Sequence, residues 1–138
     1  MLHGGCFCGA IHYETDALPF HETNYHCSIC RRTSGIPFVA WFSVPKASFR
    51  LLTGSPTRFR SSAKGTRSFC PSCGTPLTCE LEDFPDEIDV TLCSLDHPEA
   101  VTPKDHTRTS SQLPWIKLAD ELPSYRESRQ EEETAGAN

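Results

Sequence analysis

Hydrophobic side chains along this chain fall in short runs with a period of two, broken by glycine and proline. Residues 10–15, Ala-Ile-His-Tyr-Glu-Thr, alternate in the manner of a half-buried strand, while residues 38–44, Phe-Val-Ala-Trp-Phe-Ser-Val, read as a buried one. The same reading predicts strands at 49–52, 57–60, 66–69, 77–80 and 88–92, with turns at Gly54-Ser55-Pro56 and Gly74-Thr75-Pro76. No window carries a sustained helical period; residues 28–35 have room for one or two turns of helix. The expected fold class is therefore mainly β. From Tyr125 onward the chain is charged and nearly devoid of apolar residues, so burial cannot offset its ordering entropy. The expected organisation is one β domain over residues 1–124 and a polar, disordered tail over 125–138.

Composition adds limits to this picture. A chain of 138 residues with 37% hydrophobic content can bury a real core, yet it is short enough for a bound metal to matter. Its eight cysteines point either to disulfides or to metal. The N-terminal Met-Leu-His-Gly-Gly-Cys lacks the basic patch and apolar run of a signal peptide, and no apolar run approaches the roughly 18 residues of a membrane span. A cytoplasmic, reducing setting without membrane partners is the expectation, and there cysteine pairs serve more often as metal ligands. A formal charge of -5 argues against nucleic acid as partner, because phosphate binding needs clustered Lys and Arg. Basic residues do gather at Arg31-Arg32 and from Arg58 to Arg67, either as anion contacts or as plain solvated surface.

The cysteine spacing carries the chemistry. Gly4-Gly5-Cys6-Phe7-Cys8-Gly9 sets two thiols one residue apart among glycines that let backbone amides turn toward sulfur. Phe69-Cys70-Pro71-Ser72-Cys73-Gly74 is a zinc knuckle in sequence, with a proline that stiffens the turn and a glycine that tolerates positive φ. Four thiolates at about 2.3 Å around one Zn²⁺ make a closed tetrahedral site, which is structural because no position is left for substrate. Cys6, Cys8, Cys70 and Cys73 are the candidate ligands. Their ion would tie the first strand to the middle of the chain and contribute directly to folding. The alternative is two unrelated pairs of buried or free thiols.

Cys27 and Cys30 form a third pair, behind Tyr25 and His26. A second metal there needs help from His26, another histidine, Cys79 or Cys93. Side chains at 26 and 27 rarely point at the same ion, so His26 is a poor ligand if Cys27 is one. Cys79 and Cys93 sit in strand-like runs, where free cysteine packs as a small apolar residue, and burial is expected for both. Without metal, Cys27 and Cys30 are candidates for a redox pair or a thiol nucleophile near Arg31 and Arg32, whose charge lowers a thiol pKa.

Four ordered motifs go further. Gly-Gly-Cys-x-Cys-Gly-x-Ile-x-Tyr at 4–13, His-Cys-Ser-x-Cys-Arg-Arg-x-Ser-Gly at 26–35, Phe-Cys-x-x-Cys-Gly-Thr-Pro-Leu at 69–77 and Asp-Glu-Ile-Asp-Val-Thr-Leu at 86–92 resemble the glutathione-dependent formaldehyde-activating enzyme family, which also includes centromere protein V. The resemblance runs from residue 4 to about Tyr125. It implies small β-sheets joined through one structural Zn²⁺ on Cys6, Cys8, Cys70 and Cys73. It also implies a second, catalytic zinc on a Cys-x-Cys-x-x-Cys motif, and condensation of formaldehyde with glutathione to S-hydroxymethylglutathione. Cys27 and Cys30 match the last two of those ligands, and the first falls on Tyr25. A phenol with a pKa of about 10 is a poor zinc ligand at pH 7, and a two-sulfur site tends to lose its zinc to chelators and thiols.

The family carries a similar histidine and Leu-Pro-Trp where this chain has His106 and Ser-Gln-Leu-Pro-Trp (111–115), implying the wall of a cleft; Trp115 is otherwise a cover for the core. Arg31, Arg32 and Arg67 are candidates to pair with the carboxylates of a glutathione-like peptide. The leading expectation is a carbon–sulfur lyase acting on a thiol adduct, with Cys27 and Cys30 catalytic, Arg31, Arg32 and His106 substrate-binding, and the activity altered by Tyr25. The alternative is a non-catalytic, zinc-stabilised binding module. An interaction protein like the centromeric relative would need a basic extension that this acidic chain lacks.

Overall fold

The computed structural model describes residues 1–129. Ten strands and one short helix follow in the order β1 (Leu2–Gly5), β2 (His12–Thr15), β3 (Phe20–Tyr25), α1 (Ser28–Ser34), β4 (Val39–Pro45), β5 (Phe49–Thr53), β6 (Thr57–Arg60), β7 (Gly65–Phe69), β8 (Pro76–Leu81), β9 (Glu87–Thr91) and β10 (Asp105–Thr107). The mainly β expectation holds, and α1 lies where the cysteine-rich stretch left room for it. β1, β2 and β5 form a three-stranded antiparallel sheet, while a seven-stranded sheet runs β10-β3-β4-β9-β8-β7-β6, with β10 parallel to β3.

The period of two in β4 explains how the layers stack. Phe42 and Val44, both fully buried, face the small sheet and meet Ile11, Tyr13, Leu77, Ile88 and Val90 in the main core. Val39 and Trp41 occupy the other face, where Cys30 of α1 and Cys79 of β8 pack on them. β4 thus serves two cores at once, one behind each sheet face. Gly35 ends α1 in the left-handed conformation at φ 67, and its amide returns to the Arg31 carbonyl.

Three strands escaped the sequence pattern. β1 is half glycine, β10 is three residues long, and β3 buries Glu22, Thr23 and Asn24 instead of apolar side chains. Two of those polar groups are paired: Lys104 holds the Glu22 carboxylate at 2.9 Å, and Thr23 shares a hydrogen bond with Thr107 at 2.9 Å. Cys93 corrects the expectation of burial. β9 ends at Thr91, a single 3-10 turn over Leu92–Ser94 follows, and that turn puts Leu92 into the core and Cys93 at the surface. Trp115 is 66% exposed and does not cover the core.

The basic stretch from Arg58 to Arg67 is mostly neutralised by β8 and the turn that follows it. Arg58 pairs with Glu80, Arg60 with Glu82 and Lys64 with Asp83, all near the surface. Residues 125–129, where the tail was expected to begin, lie along β10. Tyr125 donates its amide to the His106 carbonyl at 2.8 Å, Arg108 donates to the Glu127 carbonyl at 2.9 Å, and Arg129 pairs with Asp105. Residues 130–138 of that tail lie outside the described residues. No helix among the described residues is long and apolar enough to cross a membrane.

Candidate functional site

Two loops with the same backbone logic bring four sulfurs together. After β1, the Cys6 amide donates to the Ile11 carbonyl at 3.1 Å and the Gly9 amide returns to the Cys6 carbonyl at 3.2 Å. After β7, the Cys70 amide donates to the Thr75 carbonyl at 3.0 Å and the Gly74 amide to the Cys70 carbonyl at 2.8 Å. Gly74 sits at φ 84, a region other residues enter only under strain, so the tight turn depends on it.

The Sγ atoms of Cys6, Cys8, Cys70 and Cys73 all lie within 4.8 Å of one another. Cys6 and Cys8 are 3.6 Å apart and Cys8 and Cys70 3.8 Å apart. A regular tetrahedron of sulfurs at 2.3 Å from a central ion has edges of roughly 3.8 Å, so the cluster fits a four-thiolate metal site. No disulfide competes, since every cysteine is free. Supporting contacts hold the sulfurs in place. The Ile11 amide donates to Cys6 Sγ at 3.2 Å, while Thr75 Oγ1 lies 3.2 Å from Cys73 Sγ and accepts from the Phe7 amide at 3.1 Å. Thr75 thereby links the two loops directly.

Cys27 and Cys30 are built differently. Cys27 precedes the first residue of α1 and is half-buried; Cys30, one turn on, is 1% exposed. Among the described residues, no third cysteine, histidine or carboxylate joins them as a ligand set; the four-cysteine cluster is the group that forms. Hydrogen bonding from Cys30, the amides of Cys30 and Ile29, and the charge of Arg67 bring the Cys27 pKa down to about 5. The same contact with Cys27, reinforced by burial, pushes Cys30 well above the ordinary thiol range. The two groups titrate as a unit, with the first proton lost at Cys27 and the second retained on Cys30. Burial raises Cys79, in the same cluster, to about 11.

Arg67, which the sequence offered with Arg31 and Arg32 as a candidate for carboxylate pairing, lies beside Cys30, a placement the spacing did not foretell. Its side chain is 8% exposed, donates Nη2 to Cys30 Sγ at 3.3 Å and Nε to Ser61 at 3.1 Å, and lies over the Trp41 ring at 5.7 Å. Among the described residues no carboxylate reaches it within salt-bridge distance. It also lines a cleft of about 300 Å³ with Thr33, Trp41, Phe59, Phe69 and Thr78. Basic residues in an exposed hairpin gave no sign that one of them turns inward.

The other candidates lie apart. Arg31 donates to the Ser111 carbonyl, and Arg32 is exposed on α1. His106 is 1% exposed: its Nε2 donates to Asp120 at 2.9 Å, and its Nδ1 meets His26 Nε2 at 3.1 Å. Tyr25, half-buried at the end of β3, accepts a hydrogen bond from Arg108 at 3.1 Å, and burial raises its phenol further above the physiological range. That leaves the Tyr25 oxygen committed to a guanidinium.

His26 is fully buried and its Nδ1 has no partner among the described residues. Burial, then the neighbouring His106 and Arg31, lowers its pKa to about 4. Between that value and the unfolded 6.5, the unfolded chain binds a proton that the folded chain refuses, so stability falls as pH falls through this window. A loss of about 2 kcal/mol is expected between pH 7.5 and pH 5. Urea midpoints at the two pH values measure it, and His26→Gln should flatten the dependence.

Comparison with known proteins agrees with this architecture. A Rhodobacter sphaeroides protein of known crystal structure shares the fold at a TM-score of 0.59 and 19% identity, covering 89% of this chain and 98% of its own. A protein of Schizosaccharomyces pombe described as an uncharacterized lyase is 32% identical over 74 residues, 54% of this chain and 53% of that relative, so the match spans about half of each. The family model for glutathione-dependent formaldehyde-activating enzyme matches residues 1–111, a stretch that contains both cysteine centres. With the family model matching most of the chain, the protein belongs to the glutathione-dependent formaldehyde-activating enzyme family.

Proposed function

We propose that this protein acts on an adduct of a small thiol such as glutathione, in the manner of a carbon–sulfur lyase, with Cys27 as the group that meets the substrate. One observation carries the reading: a half-exposed thiol whose pKa is lowered to about 5 sits beside a buried arginine with no carboxylate partner among the described residues. Such a thiol is a nucleophile at neutral pH. A Cys27 thiolate adds to an aldehyde carbon, forming a C–S bond as the carbonyl oxygen takes a proton; the reverse step breaks that bond and releases the aldehyde to a second thiol. Arg67 supplies the nearest positive charge for the developing oxyanion.

Cys6, Cys8, Cys70 and Cys73 would hold Zn²⁺ in a structural role, and a full set of four sulfurs leaves the ion no open position for substrate. In this reading Tyr25 removes the third sulfur of the family's second site, so the chemistry of Cys27 and Cys30 is carried by the thiols themselves. Arg32 and the cleft beside Arg67 are the candidates to receive the substrate's carboxylates.

The test combines a metal count with turnover. Zinc per chain near one, together with formation of S-hydroxymethylglutathione from formaldehyde and glutathione that Cys27→Ala reduces by at least a hundredfold, supports the reading. Alkylation of Cys27 by iodoacetamide should follow a midpoint near pH 5. One zinc per chain with no turnover favours the non-catalytic module, for which the missing third ligand is the specific argument.

A further inference from the structure

We infer that Cys27 and Cys30 form a dithiol–disulfide exchange site that reduces small organic disulfides. The inference shares with the proposed function the reading of Cys27 as the accessible thiol of a metal-free pair beside Arg67, but not its substrate or its reaction. Cys27 and Cys30 pack in one cluster, three residues apart, and no third ligand among the described residues ties them to a metal. One is half-exposed and the other buried, an asymmetry that assigns the attacking and the resolving sulfur.

Arg67 answers the difficulty that a buried resolving thiol creates. Cys30 must lose its proton in a place where burial opposes charge. What holds that proton most firmly is the Cys27 sulfur beside it. Once Cys27 is engaged in a mixed disulfide its charge is gone, whereas the Arg67 guanidinium stays 3.3 Å from Cys30 Sγ, with no carboxylate among the described residues to neutralise it. The first step therefore removes the group that restrains Cys30 and keeps the group that stabilises its thiolate. Cys79, buried behind them, is kept protonated by desolvation and does not compete.

The electrons balance as follows. The Cys27 thiolate attacks one sulfur of R–S–S–R′; the new S–S bond forms as the old one breaks, and RS⁻ leaves with the bonding pair. Cys30 gives its proton to the departing thiolate or to water and attacks the Cys27 sulfur, so R′S⁻ leaves in turn. Two electrons have passed from the protein to the disulfide, and the protein holds a Cys27–Cys30 disulfide. Two equivalents of a small thiol return it to the dithiol state.

The experiment uses the full, metal-loaded chain and bis(2-hydroxyethyl) disulfide, a neutral probe whose reaction does not depend on recognition of glutathione. Samples are acid-quenched, alkylated and mapped by peptide mass. The wild type should pass through a transient mixed disulfide at Cys27 and end as a Cys27–Cys30 disulfide. Cys30→Ser should stop at the mixed disulfide. Arg67→Met, a positioning change, should slow the second step at least tenfold and shift its pH profile upward, with the first step changed less. Should either variant fold poorly, the wild-type time course decides. A wild-type mixed disulfide that persists, or modification confined to Cys93 and the four metal-site cysteines, overturns the proposal. Loss of formaldehyde turnover with disulfide exchange intact would sink only the proposed function; the opposite pattern would sink only this inference.

Discussion

Cys70→Ser is expected to leave a chain that does not fold at 25 °C. Cys70 is fully buried, within 3.8 Å of Cys8 Sγ, and packed against the main core as well as belonging to the four-sulfur cluster. Four-thiolate sites contribute on the order of 10–16 kcal/mol of apparent binding free energy to folding, against a net stability of about 5–15 kcal/mol for an ordinary domain. A hydroxyl is a far weaker zinc ligand than a thiolate, so most of that contribution is lost with one atom. Cys30→Ser removes no ligand of this centre and should remain folded. Far-ultraviolet circular dichroism and a metal count on the two variants make the comparison, and equal damage from both would refute the division into a structural set and a reactive pair.

The second large effect is expected at Gly4. A Cβ added there would lie 2.4 Å from the Tyr13 hydroxyl oxygen, 2.5 Å from its ring carbon and 2.6 Å from the Ser94 carbonyl. None of the three can yield cheaply. Tyr13 is fully buried, stacks on Phe49 at 5.1 Å and shares a 2.6 Å hydrogen bond with Ser94, whose backbone is fixed by the turn after β9. Gly4→Ala should cost about 3 kcal/mol, at the upper end of overpacking effects. A drop of roughly 10 °C in Tm follows for a domain of this size. Because Gly4 lies two residues before Cys6, the displaced β1 should also loosen metal binding, read as faster zinc transfer to a chromophoric chelator. A melting point within 2 °C of wild type would mean that β1 is not packed as described.

What the sequence made legible was what repeats or what is chemically rare. β4, β5, β6 and β7 through β9 follow from alternation and turn residues, and the four-cysteine cluster follows from two knuckles. β3 was invisible because its buried side chains are Glu22, Thr23 and Asn24, of which Lys104 and Thr107 meet Glu22 and Thr23 from a distant part of the chain. Arg67 was legible as a candidate anion contact but not as the neighbour of Cys30: Arg58, Arg60 and Lys64 find carboxylates on the next strand or in the turn after it, whereas the pleat turns Arg67 to the face that Cys30 covers. Alternation sets which face a side chain takes, but the partner on that face is a tertiary fact. The Asp120–His106–His26 chain was hidden for the same reason, since each member comes from a different segment.

The link between Cys8 and Cys70 joins positions 62 residues apart. Closing so wide a loop is slow compared with local turns. During synthesis the first two thiols therefore leave the ribosome long before their partners exist. A nascent fragment ending short of position 73 lacks part of the four-sulfur cluster, and an ion could be enclosed only after that position has been made. Were the four sulfurs to hold a metal, its capture would be a late event in biogenesis, and a shortage of that metal would strand chains in which the first hairpin is not yet fastened to β7 and β8.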